Sequence, residues 1–222
     1  MVRLSEVPIN FLESNYDAQV VQPMRVKRGC HAIAHVEGRV YVFGGQNHVD
    51  KLLKKCERYS VADDTWENIA QMYFKRKNCS ACALSQHKIY VFGGTEHSSG
   101  GADSIECYDA ELDAWDLVPI RLPCFMTMQV AYKVTQRCIL LLGGVLQEAD
   151  DEIGGVSSRV YRFNPESMRI SLEADLPQDL VSLYPAAMDS NKLYIVNENV
   201  KSDCPEIVQY ELTNFLPGGP LF

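Results

Sequence analysis

The 222-residue sequence predicts an all-β fold assembled from copies of one four-stranded sheet, and three observations carry that expectation. RVYVFGG at 39–45 returns as KIYVFGG at 88–94, 49 positions later. Apolar residues between the turn-forming Gly, Asn and Asp alternate with a period of two, and no stretch sustains a period of 3.6. The short segments so marked are rich in Val, Ile, Tyr, Phe and Trp, which suit a pleated, half-buried surface.

The first unit reads as strands over 30–36 (CHAIAHV), 39–43 (RVYVF), 56–61 (CERYSV) and 65–69 (TWENI). A shift of 49 aligns Cys30 with Cys79, Ala32 with Ala81, Ala34 with Ala83, and Tyr41 with Tyr90. The same shift carries Gly44 and Gly45 onto Gly93 and Gly94, Glu57 onto Glu106, Tyr59 onto Tyr108, Asp64 onto Asp113, and Trp66 onto Trp115. A third copy, CILLLGG at 138–144, places Gly143 and Gly144 50 residues after the second pair. From the double glycine to the next aromatic the gap is 14 residues in units one and two but 19 in unit three, up to Phe163, so the third unit carries a longer loop. A fourth copy, KLYIVNE at 192–198, keeps the alternation but has Asn197 and Glu198 at the glycine positions.

A double glycine followed by a spaced Tyr and Trp, recurring at about 50 residues, resembles the kelch motif. The resemblance covers residues 26–212 and implies a kelch-type β-propeller of about four four-stranded blades, a partial or unusually small ring. On this reading 1–25 holds outer strands of an incomplete or closing blade, and 26–73 and 74–122 are blades one and two. Residues 123–178 and 179–215 are degenerate blades three and four, followed by a tail over 216–222. Ile170 stands where Trp66 and Trp115 stood. Residues 9–24 align with the outer half of a unit, with Phe11 at the Tyr59 position and Met24 near the Met72 position. The last strand, 206–212 (EIVQYEL), matches a third strand, and propellers often complete a final blade with a strand from the other terminus. Kelch propellers resemble rings of five to seven blades. Three outcomes follow, in order of preference: a fragment of a larger propeller, a closed four-bladed ring, or an arc completed by another chain.

Each repeated residue has a physical role in this picture. Alanines 32, 34, 81 and 83 suit a first strand near the propeller axis, where blades crowd. The double glycine ends a strand with a backbone that can adopt dihedrals closed to other residues and admit a neighbouring strand. Tyr59, Trp66, Tyr108 and Trp115 supply flat surfaces for packing one sheet on the next.

A net charge of −8 argues against general affinity for nucleic acid or anionic lipid. The N-terminus MVRLSEVPINFLES lacks the basic and apolar regions of a secretory signal, and no apolar run approaches a membrane span. Eight dispersed cysteines suit a reducing compartment, so a cytoplasmic location is expected.

Catalytic constellations are sparse. A zinc reading through Cys30, His31 and His35 is outweighed by structural roles, and the lone CxxC of Cys79 and Cys82 reads as core. Neither GxSxG nor GxGxxG occurs. No catalytic residue, cofactor or metal is assigned.

Recognition remains, by loops on one face of the propeller, where partners of kelch proteins usually dock. The candidate contacts are Arg28, Gln46, Asn47, His48 and Lys51 in unit one, then Arg76, Lys77, Thr95, Glu96 and His97. Glu148, Asp150 and Asp151 complete the set with an acidic run in unit three. The expected function is a non-enzymatic scaffold for a protein partner, as a subunit of a cytoskeletal or other large assembly. A substrate receptor of a cullin-type ubiquitin ligase is the alternative, though residues 1–25 supply no BTB segment. A metal-dependent enzyme on the same fold is the rival from a different class. Gly45→Val or Trp66→Ala is expected to lower stability by about 2–5 kcal/mol, read by thermal unfolding.

Overall fold

The structure is a computed structural model that describes residues 4–5, 20–49, 51–95, 103–147, 153–175, 187–189, 192–197 and 206–211. The chain falls into two units, residues 1–20 with 176–222 and residues 21–175. Strand β1 (Leu4–Ser5) belongs to the smaller unit.

In the larger unit, β2 (Ala32–Val36), β3 (Arg39–Phe43), β4 (Cys56–Ser60) and β5 (Thr65–Ile69) form an antiparallel meander in that order. A second sheet repeats it with β6 (Ser80–Ala83), β7 (Lys88–Phe92), β8 (Ser104–Asp109) and β9 (Ala114–Arg121). The third region contains β10 (Met126–Thr127), β11 (Val130–Thr135), β12 (Cys138–Leu142), β13 (Val145–Gln147), β14 (Ile153–Val156), β15 (Arg159–Asn164) and β16 (Arg169–Asp175). Strands β11, β12, β15 and β16 make its four-stranded sheet. Within the longer loop of the third unit, β13 and β14 pair and β10 joins them in a three-stranded sheet.

The smaller unit holds β17 (Ala187–Asp189), β18 (Lys192–Asn197) and β19 (Glu206–Glu211), ordered β17, β18, β19, β1. The fourth strand of this sheet comes from the other end of the chain: Leu4 pairs with Tyr210 and Ser5 with Gln209. The position assigned to Phe11 lies outside the described residues. Among the described residues no helix is long and apolar enough to cross a membrane.

Period-two alternation places the core. Tyr41 and Phe43 of the first sheet share a cluster with Ile89, Val91, Tyr108 and Trp115 of the second. The intervening residues Tyr90 and Phe92 turn the other way, into a cluster with Ile139, Leu141, Tyr161 and Phe163 of the third sheet. The second sheet is therefore covered on both faces, and β8 is buried along its whole length. Its aromatic contacts repeat: Tyr108 lies 6.0 Å from Tyr41, and Phe163 lies 5.3 Å from Tyr90. Trp115 meets Phe43 edge-on at 5.4 Å, a favoured arrangement for aromatic quadrupoles. Trp66 is half-exposed by comparison.

One sequence alignment is corrected by the register. Ala34 pairs with Tyr41, but Tyr90 pairs with Cys82, so the first strands of the two sheets are offset by 48 residues and the second strands by 49. The hairpin between β2 and β3 turns through Glu37 and Gly38, both at positive φ, whereas that between β6 and β7 is one residue longer. Because a one-residue slip reverses every side chain, Ala81 and Ala83 point opposite to the positions of Ala32 and Ala34. All four alanines then meet in the cluster between the first two sheets.

The turn after β8 gives a pH test. Lys88 lies 2.8 Å from Asp109, whose other oxygen accepts the amides of Glu111 and Leu112. The Lys88 ammonium, then the Leu112 amide, hold the carboxyl down at about 2 from an ordinary 3.8. A depressed pKa stabilises the fold above the unfolded value and ceases to as pH falls through the folded one. Asn164 accepts the equivalent two amides in the third sheet, so Asp109→Asn should retain the turn. The stability gap between wild type and Asp109→Asn, read by urea titration, is expected to shrink between about pH 4 and pH 2.

Candidate functional site

At the loop end of the sheets, the link entering each of the first two sheets is tied down by a buried ion pair. Arg28 donates to Glu57 at 2.5 Å and to the carbonyls of Gly44 and Lys55. Arg76 donates to Glu106 at 2.6 Å, to the Gly93 carbonyl and to the Ser104 hydroxyl. Glu57 also accepts the amides of Arg25 and Val26, and Glu106 those of Tyr73 and Phe74. Each carboxylate is thus fully desolvated and fully answered.

This corrects two sequence assignments. Arg28 and Arg76 were expected on the partner-binding face, but their side chains are 0% and 1% exposed and serve the fold. Their partners Glu57 and Glu106 went unassigned, although Arg…Glu recurs at spacings of 29 and 30.

The double glycines serve the same junction. Gly45 has φ +95 and its amide donates to the Arg76 carbonyl at 2.8 Å, while a Cβ there would stand 2.6 Å from the Gly29 carbonyl oxygen. Gly94 repeats this at φ +100, donating to the Met126 carbonyl at 2.9 Å. Gly44, Gly93, Gly143 and Gly144 also have positive φ.

Among the remaining candidates, Gln46, Asn47, Lys77 and Thr95 are half-buried. Lys77 donates to Gln46 at 3.0 Å across two units, and Gly29 bridges Gln46 as Lys77 bridges Thr95. His48 and Lys51 are exposed, flanking Val49, which is 87% exposed. The next two residues, Leu52 and Leu53, are buried, and the Leu53 amide donates to the Gly45 carbonyl. The loop tip is therefore held from beneath. Glu96, His97, Glu148, Asp150 and Asp151 lie outside the described residues.

Chemically reactive groups are muted. Cys79 and Cys82 fall in opposite core clusters, and burial pushes their thiols up to about 11 and about 12, which disfavours the nucleophilic thiolate. Burial, then the Arg28 charge, lowers the His31 pKa. Among the described residues no group of three His, Cys, Asp or Glu is placed to hold a metal.

Removing one partner of a buried pair strands the other charge, at a cost of about 3–5 kcal/mol, whereas replacing both can be nearly neutral. Arg76→Met or Glu106→Tyr alone is expected to cost about that much in denaturant unfolding, and the double variant clearly less than their sum.

The Kelch motif matches residues 27–73 and 76–120. An F-box/kelch-repeat protein of Arabidopsis thaliana is 40% identical over 52 residues, which is 23% of this chain and 14% of that protein. The solved structure of YjhT aligns with TM-score 0.64 and 16% identity, over 80% of this chain and 60% of that one. The matched segments coincide with the first two sheets and their entering links, so the chain carries two Kelch motifs within an all-β fold of the propeller type.

Proposed function

We propose that this chain is a non-catalytic protein-binding scaffold whose partner docks on loop ends of the propeller sheets. One observation carries the reading. The 46–55 loop rests on buried Leu52 and Leu53 while presenting exposed His48, Val49 and Lys51. An exposed aliphatic side chain between two polar ones on an anchored loop suits a contact patch, because its ordering cost is met before a partner arrives. The buried arginine clamps support the same reading by keeping the loop bases rigid. In this scheme the partner surface also takes in 96–97 and 148–151, and the chain acts as a subunit of a larger assembly.

The F-box/kelch relative favours a second reading, in which the chain presents substrates to a cullin-type ubiquitin ligase. Both readings use the same surface and differ in what else is bound.

The test is affinity capture from lysate with quantitative mass spectrometry, comparing wild type with His48→Ala/Val49→Asp/Lys51→Glu. These side chains are exposed, so unfolding should be unchanged, while at least one captured protein is expected to fall by about tenfold, corresponding to ~1.4 kcal/mol. An unchanged captured set would sink the loop assignment. Cullin subunits retained by both proteins would select the ligase reading.

A further inference from the structure

The loop end of the first two sheets gathers positive charge. Three stretches of backbone meet there, 25–31, 44–55 and 72–78, and hydrogen bonds join them directly. Gly29 and Gln46 exchange both of their backbone bonds, the Arg76 amide donates to the Leu53 carbonyl, the Met72 amide to the Lys54 carbonyl, and the Asn78 amide to the Cys30 carbonyl. The three stretches hold nine arginines and lysines against a single acid, Asp50, in a chain of net charge −8. Arg28 and Arg76 are spent on Glu57 and Glu106 beneath the surface. Lys27, Lys51 and Lys75 are exposed, and Lys54 and Lys77 are half-buried. None of these five has a carboxylate partner among the described residues, and Lys77 donates to the Gln46 side chain at 3.0 Å.

The opposite end of the same sheets has the reverse sign. The turns after β2, β4 and β8 carry Glu37, Asp63, Asp64, Glu111 and Asp113, all exposed. The cations beside them are Arg39 and Lys88, and Lys88 is held by Asp109. The two repeats agree on the basic end: Lys27 and Lys75 each stand one residue before the buried arginine of their link. In the third link Phe125 takes that place, ahead of Met126, so the repeated lysine stops at the second sheet.

We propose that this basic surface binds an extended acidic segment of a partner protein, its carboxylates lying over Lys27, Lys51, Lys54, Lys75 and Lys77. The proposal rests on the reading of the loop ends as the docking face and adds the chemistry of what docks. Charge complementarity selects the occupant, because ammonium groups gathered by folding repel one another until opposite charge arrives, and a field that reverses sign across the molecule steers an acidic partner to one end. The form of the occupant follows from the spread of the lysines. Each is a point charge on a flexible stem, and five of them over three backbone stretches match several carboxylates along a chain better than one bidentate anion. Val49, 87% exposed and two residues before Lys51, adds an apolar contact within the charged field. A nucleic-acid strand is disfavoured, since its dense charge is repelled by the acidic remainder of the chain.

The experiment is a fluorescence-anisotropy titration of the full chain with labelled octapeptides of glutamate, of glutamine and of lysine, and with an oligothymidylate of equal length. The glutamate peptide is expected to bind about tenfold or more tightly than the other three probes, and to weaken by about tenfold between about 50 and about 300 mM salt. Lys27→Glu/Lys75→Glu, at exposed positions outside the 46–55 loop, should lower its affinity about tenfold with thermal unfolding unchanged. Lys27→Gln/Lys75→Gln should lower it less, and Glu111→Gln, at the acidic end, should bind as wild type does. A glutamate peptide that does not bind, that binds no better than glutamine, or that ignores both lysine variants would overturn the proposal. So would equal or tighter binding of the oligothymidylate, which would assign the surface to nucleic acid. Neither failure touches the loop tip: captured proteins lost with His48→Ala/Val49→Asp/Lys51→Glu would still support the docking face, with a partner of other chemistry.

Discussion

A carboxylate withdrawn from water governs how one sheet is joined to the next. Glu57 and Glu106 sit on third strands with no exposure, where an unanswered charge would cost several kcal/mol. The groups that answer them come from the link entering the sheet: one guanidinium and two consecutive amides each. The link cannot leave without stranding the charge. The arginine then spends its other donors on carbonyls at the ends of the second and third strands, beside the double glycine. Register, link and glycine turn are thereby fixed by one network, whose energetic stakes rise with its burial.

The third copy shows which residues belong to that network, because they change together. Met126 stands at the arginine position and Tyr161 at the glutamate position, both buried. Pro123, which has no amide hydrogen, takes the place of Tyr73, one of the two amides that Glu106 required. The second set behaves likewise: where Tyr108 and Tyr59 donate to Asp113 and Asp64, the third copy has Phe163 and Met168. Losing donor and acceptor as a pair leaves nothing unsatisfied, whereas losing either alone leaves a buried polar group without a partner. The degenerate unit is a consistent apolar solution to the same packing problem.

Much of the fold was legible because strand period and turn glycines are local signals. The near-identity of RVYVFGG and KIYVFGG marks the second strand and the turn that the next link approaches. The register of the first strands was less legible. The extra residue between β6 and β7 is compensated by chance recurrence of cysteine and alanine, so an offset of 49 looked uniform where the structure has 48. Arg28 and Arg76 looked like surface cations for the same reason: lone arginines in a polar link carry no mark of burial until their glutamates are seen across the sheet. The groove of about 830 Å³ that Ile120, Pro123, Met168 and Ile170 line between β9 and β16 was readable only as an absence, since Ile170 for Trp reveals a missing ring without saying whether neighbours collapse to fill it.

They do not collapse, and the reason is geometric. The sheets to either side are held apart by the inner aromatics, with Phe92 5.6 Å from Phe163, and these contacts survive the outer substitutions. A junction braced at its centre cannot close at its rim when an outer side chain shrinks, because each sheet is rigid across its four strands. Loss of the indole is therefore converted into accessible volume rather than into a tighter interface. In a stacked-sheet protein this makes the degenerate repeat the place to look for binding surface beyond the loops: the residues that depart from the motif are those whose removal the scaffold does not conceal.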